Sequence, residues 1–341
     1  MFTITGKSRV EPAPSHPLRR HRPLLVMVGL MALLTIVSAA GTVADDRVLL
    51  GAPVWGKPLK FAMSFVVYGL SLAWMLALPL KAPRWAWWMG TLIAVTGILD
   101  VGIVVVQAAR GTFSHFNQSD DPFNTVIQLV FGYGVQGLLL ANLVLAGILI
   151  FQRIVDRPTA WAIRSGMALV IAGIGLGLLI PARPQPALTV KDANGQWISL
   201  AAQHSVGVQD GGPGLPLTGW STAGGDLRIS HFVGLHGLQV MLVVALLLRY
   251  LAARVTRLQH ERTQAALVIV AAVGYTALLA LVTWQALRGQ PLLRPDGLTL
   301  GALALVLAVT AAAGWAVLAR SPGRRRRTSR GGQPVRTPAA P

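Results

Sequence analysis

Apolar residues fill eight stretches of the chain: 23–44, 59–80, 85–108, 125–151, 160–182, 232–248, 265–287 and 298–318. Most approach the roughly 20 residues that an α-helix needs to cross the hydrocarbon of a bilayer. Unpaired backbone polar groups are costly in lipid, so these runs predict helices and not strands. Between runs five and six the pattern changes. Residues 183–230 are polar and rich in Gly and Pro, and "ALTVKDANGQWISL" alternates like a hairpin around Ala193-Asn194-Gly195. Loops this long are functional or disordered. The aromatics and alternating charges predict an ordered cap at one end of a helix bundle.

Composition agrees. Hydrophobic residues make up 53% and charged residues 12% of the chain, where a soluble domain carries about a quarter charged. The expected fold is therefore all-α, a polytopic integral membrane protein of about eight transmembrane helices. Its segments are a basic N-terminal stretch (1–22), five helices (23–182), the cap (183–230), three helices (231–319) and a basic, disordered tail (320–341). The first run also resembles a secretory signal, but its apolar stretch exceeds the roughly 7–15 residues such signals use, so a retained helix is expected. "GIGLGL" in run five predicts close helix approach or plain tolerance of glycine.

Charge supplies a direction. With the amino terminus in the cytoplasm, the inner segments hold 21 of the 30 Lys and Arg and three of the 12 acids. The outer segments hold nine and eight, and Asp100 lies within a helix. This is the positive-inside asymmetry of a cell-membrane protein with both termini cytoplasmic. The net charge of +18 is then mostly a topology signal. Partners implied are the bilayer, anionic headgroups at the basic segments and a small-molecule ligand; nucleic acid is not expected. His16, His21 and His260 fall among the inner arginines, as solvated or headgroup contacts.

The other four histidines, His115, His204, His231 and His236, share the outer depth. Other polar groups join them. Lys57, Lys60, Ser64 and Tyr68 form a stripe at spacings of three or four. Asp100 and Gln107 are seven apart on one helix face, and Arg110 follows one turn on. Run four adds Gln128, Tyr133 and Gln136. "GDLRISHFVGLHGLQ" adds Asp226, Arg228 and Gln239 to its two histidines. An unpaired carboxylate in hydrocarbon is expensive, so Asp100 is expected to face a partner: Arg110, a lysine or a histidine. Convergence of these residues, apart from His204, Gln128 and Tyr133 and with Asn117 beside His115, on one polar pocket is the expected site.

The chemistry stays open. Cysteine is absent, which excludes thiolate ligands, cysteine nucleophiles and covalent haem. A Zn site could draw on His115, His231 and His236, but His231 and His236 are five apart and miss the H-x-x-x-H spacing. Bis-histidine haem and quinone binding are further options. "GAPVWGKPLKFAMS", "QAARGTFSHFN" and "HFVGLHGLQ" together resemble a group of uncharacterised bacterial multi-pass membrane proteins, high-GC and actinobacterial-like. That resemblance implies the membrane architecture and brings no activity, cofactor or substrate. Three classes remain: binding or transport of a small anionic or lipid-derived ligand, a membrane-embedded enzyme or redox protein using Asp100 and the histidines, and a structural assembly protein.

Overall fold

The computed structural model describes residues 21–150 and 156–321. The rest of the basic N-terminal segment, the tail from 322 onward and Phe151 of the fourth run lie outside the described residues. Nine α-helices appear within them: α1 (Arg22–Ala44), α2 (Gly56–Leu76), α3 (Pro83–Ala109), α4 (Pro122–Ile150), α5 (Arg157–Ala182), α6 (Leu227–Leu235), α7 (Gly237–Ala252), α8 (Glu261–Leu287) and α9 (Gly297–Arg320). Seven are long and apolar enough to cross a membrane; α6 and α7 pass the same test only when taken together as a bent pair, which makes the number seven to eight.

Local chemistry explains several starts. Proline occupies the first turn of α1, α3 and α5, where its missing N–H costs nothing. Asp156, Asp226 and Asp296 cap α5, α6 and α9 through their carboxylates. His21 caps α1: its Nδ1 accepts from the Leu24 amide (3.2 Å), while its Nε2 lies 2.9 Å from the Trp87 carbonyl. His21 is thus buried, a correction to its reading as a solvated or headgroup contact.

Helices α1 to α4 share one core, built on Leu24, Met27, Met31, Leu72, Ile93 and Leu145, and Met167 of α5 with Leu238 of α7 complete it. A second core joins α5, α7 and α8 around Met241, Val268 and Leu279. Helix α9 packs mainly on α8. The outside is as apolar as the inside: Ile36 is 68% exposed, Leu305 64% and Trp315 72%.

The sixth run is not one helix. It breaks at His236, which ends α6 and precedes α7, and the two pieces meet at 45°. Gly234 and Gly237 flank the break, and each lowers helix propensity by about 1 kcal/mol relative to alanine. Both press against α5. A Cβ on Gly234 would meet the Cα of Gly173 at 2.4 Å, and one on Gly237 would meet Leu169 at 2.3 Å. Two glycines of "GIGLGL" are therefore contact positions: Gly173 lies under α6 and Gly177 under the His231 ring, whereas Gly175 meets nothing within 4 Å.

Three two-stranded antiparallel ribbons modify the all-α expectation: β1–β2 (Val48–Leu49, Ala52–Pro53), β3–β4 (Leu188–Lys191, Trp197–Leu200) and β5–β6 (Ser205–Val206, Gly225–Asp226). All lie at one end of the bundle and form the cap. The β3–β4 turn is the expected one: Asp192 Oδ1 accepts from the amides of Asn194 (2.9 Å) and Gln196 (3.0 Å), and Gly195 takes φ +80°. Gly225 seats the cap on α8, since a Cβ there would lie 1.9 Å from the Ala286 carbonyl oxygen.

Candidate functional site: a cationic cluster under the cap

The connection from α3 to α4 is built first. Gln107 Nε2 donates to Asn124 Oδ1 (3.1 Å) and the Phe113 carbonyl (3.3 Å), and its Oε1 accepts from Arg110 (3.0 Å). Arg110 also pairs with Asp121 and covers the Phe123 ring. Asn117 bonds Thr112 and the Phe113 carbonyl. Gln128 donates to the Ser114 carbonyl. The network holds the segment Ser114–His115–Phe116 against the cap, where Ala201 donates to Phe116 and Gln118 to Ser199, both at 2.9 Å. Phe116 takes a left-handed φ of +59°, a strained conformation for an aromatic residue.

Beside this segment the cap delivers His204. Its Nδ1 lies 2.7 Å from Asp210 Oδ2, and the same carboxylate accepts the amides of His204 (2.9 Å) and Ser205 (2.8 Å). Burial pushes Asp210 up, but the His204 ring and these amides outweigh it, and its carboxyl titrates below the usual range. Burial holds His204 below the ordinary histidine value despite Asp210. His115 is pushed well below it, by burial first and then by Lys57, His204 and His231. Both rings are therefore neutral at neutral pH. His204 directs its Nδ1–H at Asp210, which leaves Nε2 uncommitted.

Helices α2 and α6 supply the charges. Lys60 donates to the Thr218 carbonyl at 2.6 Å. Arg228 clasps Asp226, which is 1% exposed, and donates to the Gly219 carbonyl at 2.7 Å. The carbonyl oxygens of Thr218 and Gly219 thus roof Lys60 and Arg228. Lys57 is half-buried and within electrostatic reach of Lys60, Arg228 and Asp210, yet makes no hydrogen bond or ion pair among the described residues. His231 places Nδ1 2.7 Å from the Gly173 carbonyl and lies within reach of His204 and His236. Phe61, Phe116 and Phe131 surround His115, with ring centroids at 5.8, 6.0 and 4.2 Å. Trp220, Phe232 and His236 stack in series at the margin.

The structure therefore brings together Lys57, Lys60, His115, Asp226, Arg228 and His231, with His236 at the edge. It leaves out the rest. Gln107, Arg110 and Asn117 are saturated in the α3–α4 network. Tyr68 donates to Asn142 at 2.6 Å inside the bundle. Ser64 has no hydrogen bond among the described residues, and Gln136 is exposed on the outer face of α4. Gln239 lies beside His236, but its buried amide makes no hydrogen bond of good geometry among the described residues. Asp100 is buried, as expected, but both its oxygens lack a hydrogen-bond partner and it packs on Gly134 of α4, so the expected charge partner is absent among the described residues. No group of three or more His, Asp or Glu side chains among the described residues could hold a metal, which removes the geometry for Zn at His115, His231 and His236. Haem gains no support: of the two histidines the sequence offered for it, His115 is ringed by Phe61, Phe116 and Phe131, and His236 packs on Phe232 at the α6–α7 break.

Sequence reading left His204, Asp210 and the Thr218 and Gly219 carbonyls out of the site. A signal for His204 existed, its shared depth with the other histidines, but its pairing with Asp210 depends on the fold of the cap.

Asp100 gives a direct test of its isolation. Removing an unsatisfied buried acceptor relieves about 1–3 kcal/mol, offset in part by the space left behind. Asp100→Ala is expected to unfold in neutral detergent at or above the temperature of the unmodified protein. A loss beyond about 1 kcal/mol would mean that Asp100 has a partner after all.

No family model matches this chain, and no curated protein or solved structure matches it either.

Proposed function

We propose that the chain is a multi-pass membrane protein of eight spans whose cap-side cluster binds a small anion. The apolar outer surface, seven long helices and one bent pair support the membrane assignment. The asymmetry of 21 against nine basic residues supports cytoplasmic termini and an outward cap. The chain has no cysteine, so a single Leu217→Cys at the 90% exposed cap tip reads the orientation. An impermeant maleimide is expected to label it from outside in intact cells; labelling only after lysis would reverse the assignment.

One observation carries the binding reading: the half-buried Lys57 side chain has no hydrogen-bond or ion-pair partner among the described residues, and it stands beside Lys60 and Arg228. Lys57, Lys60 and Arg228 face two carboxylates, Asp210 and Asp226, while His204 and His115 add no charge. An anion would satisfy Lys57 and the spare donors of Lys60. Hydrogen bonds to charged groups contribute about 1.5–3 kcal/mol. Lys57→Gln is therefore expected to weaken inorganic phosphate binding about 10- to 100-fold in calorimetry at low salt. Arg110→Gln, in the separate network, should leave it unchanged. Equal affinity in the Lys57 variant and the unmodified protein would refute the site.

A second reading, hydrolytic or group-transfer catalysis, rests on His204 and Asp210. A carboxylate that orients Nδ1–H leaves Nε2 free as a general base. Hydrolysis of p-nitrophenyl phosphate by the purified protein, lost in Asp210→Asn, would favour catalysis over simple binding.

A further inference from the structure

We infer that the ligand of this cluster is an anionic amphiphile, a phosphate or carboxylate headgroup on an alkyl chain, received from the bilayer side between α2 and α6–α7. The inference rests on the anion-binding reading and narrows it. At 100° per residue, Met63 and Val67 lie within about 60° of Lys60 on α2. They are 52% and 46% exposed. On α6, Phe232 lies within about 40° of Arg228 and is 43% exposed. Each of these cations therefore stands above an exposed apolar wall. Lys60 and Arg228 bond adjacent carbonyls, those of Thr218 and Gly219, which sets the two apolar faces side by side along a seam, and α2 touches α7 only lightly below them.

The roof fits the same occupant. Thr218 and Gly219 lend carbonyl oxygens to Lys60 and Arg228, and the tip between strands of this turn carries Leu217, 90% exposed at φ +65°. Trp220 reaches down to Phe232. Polar backbone thus covers the charges from the cap side, while the side toward the apolar surface stays lined by Met63, Val67 and Phe232. A freely hydrated anion gains nothing from those walls. An alkyl chain gains burial of its methylenes against them while its headgroup meets Lys57.

The test compares hexyl phosphate, inorganic phosphate and hexanol on the full chain in neutral detergent, by calorimetry. Hexyl phosphate is soluble enough to avoid forming its own micelles at the concentrations needed. It is expected to bind at least 10-fold more tightly than inorganic phosphate, and hexanol not measurably. Met63→Ser with Phe232→Ser should remove that advantage and leave inorganic phosphate binding unchanged, a split that general destabilisation would not produce. If both phosphates bind equally and both depend on Lys57, the anion site stands and the amphiphile is wrong. If neither phosphate binds, both readings fall. If hexanol binds as well as hexyl phosphate, the seam is merely apolar and the inference is overturned. The ratio in the unmodified protein decides the matter even if a variant fails to fold.

Discussion

Asp226→Ala is expected to destabilise the protein by about 3–5 kcal/mol while loosening the cap. The size follows from what Asp226 holds. It is 1% exposed, and its oxygens accept from the Ser221 amide (2.8 Å), the Arg228 amide (3.0 Å) and the Arg228 guanidinium (2.9 Å). It also ends β6, opposite Ser205, and caps α6. Truncation leaves the half-buried Arg228 unpaired, and breaking one side of a buried ion pair costs about 3–5 kcal/mol. The lost cap adds to this in the same direction. Asp226→Asn should separate the two roles. It keeps an acceptor for the α6 amide and removes the negative charge, so stability falls less. Anion affinity should then rise, because Arg228 loses the carboxylate that competes with the ligand. Thermal unfolding and phosphate calorimetry on the same samples give both signs. Reduced phosphate affinity in Asp226→Asn would place the anion away from Arg228.

How much could be read from the chain alone depended on the solvent of each part. The long apolar helices were legible because an apolar run near 20 residues is the length that the thickness of the hydrocarbon would select. Their facing was not. In water, one polar face tells which side of a helix is buried; α1, α3 and α8 are apolar around their circumference, so no such contrast exists. Gln136 of α4 was assigned to the interior on its polarity alone and lies on the outside. Asp100 shows a related failure: its cost in an apolar setting predicts burial, which holds, and a charge partner, which is absent among the described residues. The β3–β4 hairpin was legible because Asp192 and Gly195 make its turn locally. The His204–Asp210 pair joins residues across a loop with no periodicity, and only the folded cap reveals it. The break at His236 was hidden because apolar residues continue through it, and glycine in a helix is ambiguous until its neighbour is known.

That ambiguity sets up the sharpest mutational contrast in the molecule. Gly173 and Gly175 are two residues apart in the same helix, yet their substitutions should have opposite signs. A methyl at Gly173 would lie 2.4 Å from the Leu235 amide nitrogen and 2.6 Å from the Gly234 carbonyl carbon. Both obstacles are backbone, so no side-chain rotation relieves the clash, and α6 must move away from α5. That movement strips the His231 bond to the Gly173 carbonyl and shifts Arg228 relative to Lys60. Overpacking alone costs about 1–3 kcal/mol, and the lost hydrogen bond adds about 1 kcal/mol. Gly175→Ala meets open space, and replacing glycine by alanine in a helix is worth about 0.5–1 kcal/mol of stabilisation. The expected result is a gap of about 3 kcal/mol or more between the two variants in thermal unfolding. Gly173→Ala should also lose phosphate affinity, because α6 carries Arg228 into the cluster, whereas Gly175→Ala should retain it. Equal stability of the two variants would mean that α6 does not rest on Gly173. The seam between α2 and α6–α7 would then lose the fixed wall that the amphiphile requires.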